Sequence, residues 1–261
     1  MRNYFYRDIF IFFLAVFIFL IISPQNIYAA DSKNLPAITI INPIRGNELG
    51  HEKDDLLSGL KTQWQYTFDA NVNATWLWQY TALENEAMVN FAKTNMKNQD
   101  FGIFLEIDRN FAKKSGVQYR GQGPWYFSDG LLLVSYDKNE REKLIDEVFS
   151  KFKKTFGYYP KTVGAWWIGA DSLVYMQKKY GIVAAMRASD QFDLDVYSIW
   201  GTPWSIPYVA SKENEGLPAE EVDDSSKVVM LQWAPRDPTR GYNDFAYSVQ
   251  DFTLRDDNFF T

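Results

Sequence analysis

The sequence predicts an α/β fold built as a (β/α) barrel, and three observations carry that expectation. Short apolar segments rich in β-branched and aromatic residues alternate with stretches whose apolar residues recur at helical spacing, as in repeated β-α units. No glycine-rich phosphate loop, neither GxGxxG nor GxxxxGK[ST], follows any strand-like segment, which disfavours an open nucleotide-binding sheet. No internal repeat, low-complexity tract or linker divides the chain beyond its N-terminus, so residues 31–261 are expected to form one domain.

The first 30 residues read as an export signal. Arg2 and Arg7 precede an unbroken apolar run of 14 residues from Ile9 to Ile22, and Ser23-Pro24 ends it before the small residues Ala29 and Ala30. This is the layout of a cleavable secretory signal, and the run falls short of the ~20 residues that cross a bilayer. The expectation is a secreted or cell-envelope protein with no stable membrane insertion after cleavage.

The strand-like segments are 37–41, 74–80 (ATWLWQY), 101–107 (FGIFLEI), 131–136, 162–168 (TVGAWWI), 182–187 and 228–234. Between the first two, Leu56, Leu60, Trp64 and Phe68 mark one face of a helix over 53–68. Thr81 and Glu84 have the spacing of a capping box and predict a helix start, followed by the apolar face of Met88, Phe91 and Ala92. Residues 109–130 read as a long loop. The clearest helix spans 138–156: Asp137 and Glu140 form a capping box, Leu144, Ile145, Val148, Phe149 and Phe152 form its stripe, and Gly157 stops it. Asp171 is expected to cap a helix that ends at Gly181, and 188–227 to form a second long loop. Only 27 residues follow Ala234. The expectation is either a barrel incomplete at its C-terminal side or a fragment of a longer chain, and in the second case an apolar flank exposed near the first and last strands.

Composition excludes several functions. The net charge of −6 disfavours nucleic acid as a partner, because phosphate neutralisation needs excess Lys and Arg. Zero Cys and a single His, His51, leave no thiolate nucleophile and no histidine-rich metal site, so neither a metal nor another cofactor is expected. Aromatic residues reach 17%, and flat rings suit the C–H faces of sugars as well as cores.

The order of segments resembles the polysaccharide deacetylase (NodB-homology) family of the glycoside hydrolase/deacetylase barrel group. ATWLWQY looks like that family's second strand and FGIFLEID like its third. The segment from Glu140 to Trp167 resembles its helix-Gly-x-x-Pro-strand passage, and 171–186 the helix and strand that follow. PYVASKEN at 207–214 is similar to a PYYPSxxN stretch of an exported branch of the group. The similarity covers residues 37–237. It implies a (β/α) barrel of the glycoside hydrolase/deacetylase type and a polysaccharide or oligosaccharide partner. The family's metal motif is missing. Where the deacetylases place an Asp-Asp pair after the first strand, this chain reads Ile41-Asn42-Pro43-Ile44-Arg45. Where they place His-x-x-x-His after the third, it reads Leu105-Glu106-Ile107-Asp108.

Barrels bind ligands at the C-terminal ends of their strands, and the candidate residues are chosen there. Glu106 and Asp108 are catalytic candidates as a carboxylate pair placed on one side by strand alternation; the alternative is an ion pair with Arg45, Arg109 or Arg120. Asp237 is a second catalytic carboxylate, expected to face Glu106 across the barrel mouth. Asp171 is a catalytic candidate whose plainer reading is a helix cap. Asn42, Arg45, Trp167, Trp204, Tyr208 and Trp233 are substrate-binding candidates, the arginine for carboxylates or hydroxyls and the rings for stacking. An acidic stretch at Asp190, Gln191, Asp193 and Asp195 reads as a solvated loop. The resulting expectation is a glycosidase-like, carbohydrate-active protein using two carboxylates. The alternatives are a non-catalytic carbohydrate-binding barrel or a deacetylase-like protein with a rebuilt site.

Overall fold

The computed structural model describes residues 40–46, 55–122, 128–188 and 207–233, all within the compact unit Thr39–Thr261. The signal segment, His51, the acidic stretch at 190–195, Trp204 and Asp237 lie outside the described residues. Seven strands form one sheet: β1 (Ile41–Ile44), β2 (Thr75–Trp78), β3 (Asp100–Phe104), β4 (Thr162–Ala165), β5 (Ala184–Ala188), β6 (Tyr208–Ser211) and β7 (Ser225–Trp233). Their spatial order is β1-β2-β3-β4-β5-β7-β6. β1 to β5 and β7 pair in parallel, and β6 runs antiparallel along β7. Among the described residues, β1 and β6 are the two edges.

The helices are α1 (Leu56–Asp69), α2 (Glu86–Asn95), α3 (Arg109–Lys114), α4 (Ser128–Leu131), α5 (Lys138–Phe156) and α6 (Ala170–Tyr180). Local chemistry sets their ends. In α5 the Asp137 carboxylate accepts from the Glu140 amide at 2.9 Å, and Glu140 reaches back to the Asp137 amide at 3.0 Å. Gly157 then ends α5 at φ +90°, where a Cβ would be strained.

Five expectations are corrected. Helix α1 starts later than 53, because Asp55 caps it by accepting from the amides of Leu57 and Ser58. Thr81 caps nothing; its hydroxyl donates to the Gln79 side chain at 2.8 Å, a 3₁₀ turn covers Ala82–Glu84, and Asn85 caps α2. The loop at 109–130 contains α3, capped by Asp108. The apolar run at 131–136 is no strand: it ends α4 and forms a 3₁₀ turn, since β3 pairs directly with β4 and leaves no place in the sheet. The loop at 188–227 contains β6.

Strand alternation divides the core in two. Trp76, Trp78, Ile103, Val163, Ala185 and Met230 point to the helix layer and join the α5 stripe. Leu77, Phe104, Trp166 and Met186 point to the opposite, inner face, with Leu131 and Leu132 against them. Gly102 and Gly164 make room there for Leu77: a Cβ on Gly102 would stand 2.6 Å from Leu77 Cδ2 and 2.5 Å from the Thr162 carbonyl oxygen, and one on Gly164 2.4 Å from Leu77 Cδ1. Beside the β6 edge, Val209 and Val229 pair in register and share the inner face, 42% and 38% exposed. No helix among the described residues is long and apolar enough to cross a membrane.

Candidate functional site

The inner face ends, at the C-terminal side of the parallel strands, in Arg45 after β1, Glu106 after β3 and Trp166 after β4. Arg45 alternates with Ile44, which faces the helices, so its side chain turns inward. Its Nε donates to Glu106 Oε2 at 2.9 Å, with only 8% and 5% of the two side chains exposed. The Trp166 ring stands 5.8 Å from the Arg45 guanidinium carbon and meets Phe104 edge-on. The backbone just after Arg45 is confined. A Cβ on Gly46 would lie 2.2 Å from the Ala82 amide nitrogen, so only glycine passes this close to the start of the 3₁₀ turn. Gln79, buried at the end of β2, accepts from the Gly46 amide at 3.3 Å and from Thr81, tying the exits of β1 and β2 together.

The other described candidates do not converge on this pair. Asp108 caps α3 instead of standing beside Glu106: its Oδ1 accepts from the Phe111 amide at 2.9 Å, and its buried Oδ2 has no hydrogen-bond partner. Strand alternation does not reach it, because β3 ends at Phe104. Burial pushes the Asp108 carboxyl above its ordinary value, against the pull of the Phe111 and Asn110 amides. Asp171 lies in the first turn of α6, after Gly169 at the cap position, and is paired with Arg141 of α5. Asn42 shares the helix-facing side of β1 with Ile44, and its buried Nδ2 has no partner, so it does not flank the Arg45–Glu106 pair.

Tyr208 and Trp167 belong to a second polar cluster. Arg187 of β5 follows inward-facing Met186 and turns to the helix side, where its Nη1 lies 3.1 Å from Glu215 Oε1, both residues buried. The Tyr208 hydroxyl donates to the Glu215 carbonyl at 2.8 Å and accepts from Gln232 Nε2 at 2.8 Å. Burial pushes this hydroxyl up, against the pull of Gln232 and Arg187. Trp167, 39% exposed, stands 5.7 Å from the Arg187 guanidinium. Trp233 ends β7 opposite Ala188; its side chain, like Trp204 and Asp237, lies outside the described residues.

Sequence reasoning missed Gln79, Arg187, Glu215 and Gln232, while the expectation that one of Trp166 and Trp167 packs inside and the other toward the helices agrees with Trp166 in the inner cluster. Parity decided the tryptophans: Trp166 shares the inner face with Phe104, and its neighbour takes the other side.

A divalent metal, which the deacetylase resemblance implies, does not fit these residues. The β1 and β3 exits that would supply its ligands meet in an ion pair, so a guanidinium already neutralises the buried carboxylate. Among the described residues, no group of three or more His, Cys, Asp or Glu side chains is arranged to hold a metal ion.

Two solved structures resemble this chain in fold. A candidate glycoside hydrolase/deacetylase from Parabacteroides distasonis superposes with a TM-score of 0.52 at 18% identity, over 76% of this chain and 45% of that one. A candidate polysaccharide deacetylase from Mycobacterium smegmatis matches with a TM-score of 0.44 at 14% identity, over 75% of this chain and 57% of that one. The chain thus spans about half the length of these two proteins. The first of them shares the fold of this chain, a mostly parallel sheet layered with helices, as in a (β/α)-barrel-like protein. No curated protein matches. The chain belongs to the DUF3863 family, described as a domain of unknown function with solved-structure structure, which matches residues 66–245.

Proposed function

We propose that this is an exported protein that binds a polysaccharide at the C-terminal ends of its parallel strands, with Arg45 and Glu106 as the central polar pair. The observation that carries the reading is the pair itself: a charged, directional donor–acceptor set at the ligand-binding end of a fold used for glycans. The metal-dependent deacetylase route is not part of the proposal, because its ligands are not present at these positions. Titration of the secreted protein against soluble polysaccharides by calorimetry tests it. Saturable heat that falls at least tenfold in Glu106→Gln supports the reading. Equal binding by wild type and variant, or none to any glycan, rejects it.

A glycosidase-like reading has one observation in its favour: Glu106 is a buried carboxylate at the end of β3 whose arginine partner suits a base or nucleophile better than an acid. Asp237 would supply the acid. Carboxyl separations near ~5 Å correspond to retention and ~6.5–9.5 Å to inversion. Hydrolysis that persists unchanged in Asp237→Asn removes that residue from the mechanism. Export with cleavage after Ala30 is part of the same proposal, and N-terminal sequencing of secreted material tests it.

A further inference from the structure

The fixed guanidinium has a chemical meaning that extends beyond glycan binding. Arg45 and Glu106 leave strands that are not neighbours, because β2 lies between β1 and β3. Their 2.9 Å contact therefore closes over the end of β2, where Gln79 ties the chain after Arg45 in place. Both side chains are more than nine-tenths buried. A charge at that depth is screened little by salt and is costly to leave unpaired.

We infer that Arg45 is a built-in cation at the place where the deacetylase resemblance implies a divalent metal, and that it keeps such an ion away from Glu106. A divalent ion coordinated by a carboxylate needs oxygen contacts of about 2.0–2.6 Å. At Glu106 it would sit beside the positive charge of Arg45, and the two cations would repel strongly in a poorly screened pocket. Unlike a bound ion, this cation is part of the chain and cannot be removed by chelation. The backbone after Arg45 is held close to the 3₁₀ turn, where a Cβ on Gly46 would meet the Ala82 amide and Gln79 accepts from the Gly46 amide.

The inference does not depend on which glycan is bound, or on whether one is. It is tested on the full-length purified protein by elemental analysis, and by thermal melts with EDTA, Zn²⁺, Mn²⁺, Co²⁺ or Ni²⁺. An ion bound at about 100 times its dissociation constant would raise the Tm by roughly 5–10 °C in a chain of this size. The expected result is no stoichiometric metal, no loss of Tm with EDTA and no such rise with any of the four ions. Any response observed is repeated in Glu106→Gln and in the paired variant Arg45→Met/Glu106→Leu, which keeps the pocket filled if the single substitution does not fold. A metal response that disappears with Glu106 overturns the inference. One that persists without Glu106 belongs to another part of the chain and leaves it standing.

Discussion

Arg45 and Glu106 join the ends of two strands that do not touch each other in the sheet, by a 2.9 Å ion pair buried on both sides. Such a pair stabilises little over an apolar replacement, yet losing one partner strands the other. Arg45→Ala or Glu106→Ala should each cost about 3–5 kcal/mol, whereas Arg45→Met/Glu106→Leu together should fall near wild type. Urea unfolding of the four proteins measures this. A double variant as unstable as the worse single one would mean that the pair itself supplies the stability.

Two glycines should respond in opposite directions to alanine. Gly102 faces Thr162 and Leu77 at distances no Cβ tolerates, so Gly102→Ala should destabilise by about 1–3 kcal/mol through overpacking. Gly59 lies inside α1, and a Cβ added there would meet nothing within 4 Å, so Gly59→Ala should stabilise by about 0.5–1 kcal/mol. Thermal melts of both variants decide the matter.

Asp108 couples stability to pH in an unusual direction for a carboxylate. Its folded-state pKa is raised above the ordinary 3.8, chiefly by burial. The stability linked to its protonated form is complete below that ordinary value and is lost as pH rises through the folded one. Asp108→Asn keeps an N-cap acceptor and removes the buried charge, so it should match or exceed wild type at pH 7 and lose that advantage near pH 3. Asp108→Ala removes the cap as well and should cost about 0.5–2 kcal/mol. If the asparagine variant is the weaker protein at neutral pH, the charged cap outweighs its burial.

Asp146 behaves in the usual way. Burial raises its pKa, but the bonds from Lys179, Tyr180 and Tyr175 outweigh burial and hold the carboxyl below the ordinary range. The stability it contributes is present above about pH 3.8 and is lost as pH falls through the folded value. The Lys179 and Asp146 side chains are 44% and 39% exposed, so solvent screening limits the pair to about 1 kcal/mol or less. Lys179→Met should lower the urea midpoint at pH 7 slightly and bring the acid-unfolding midpoint to higher pH. An acid midpoint that stays put would show that the tyrosines alone hold the carboxylate.

The parts of this fold that were legible in the sequence are those set by nearest neighbours along the chain. The capping box at Asp137 and Glu140, the α5 stripe and the stops at Gly157 and Gly181 depend on a few adjacent residues. The sites depended on parity, and parity fails with a shift of one residue. β1 begins at Ile41, and this register sends Asn42 to the helices and Arg45 inward. The Arg45–Glu106 contact was one of several pairings the sequence allowed; choosing it required knowing that the exits of β1 and β3 meet. The Arg187–Glu215 cluster left no local signal, because its partners are 28 residues apart and come together only when the loop after β6 folds back over β5.

The strand order also bears on how the chain acquires its shape. From β1 to β5 each new strand docks beside the one made just before it, so the sheet can lengthen as synthesis proceeds, with short-range contacts formed at each step. β6 breaks that sequence. Its only partner in the sheet, among the described residues, is β7, which is made later, and until β7 arrives the segment has no ladder to join. Among the described strands, β7 is made last and lies between β5 and β6, so its pairing brings Tyr208 and Gln232 together with the loop that carries Glu215 to Arg187.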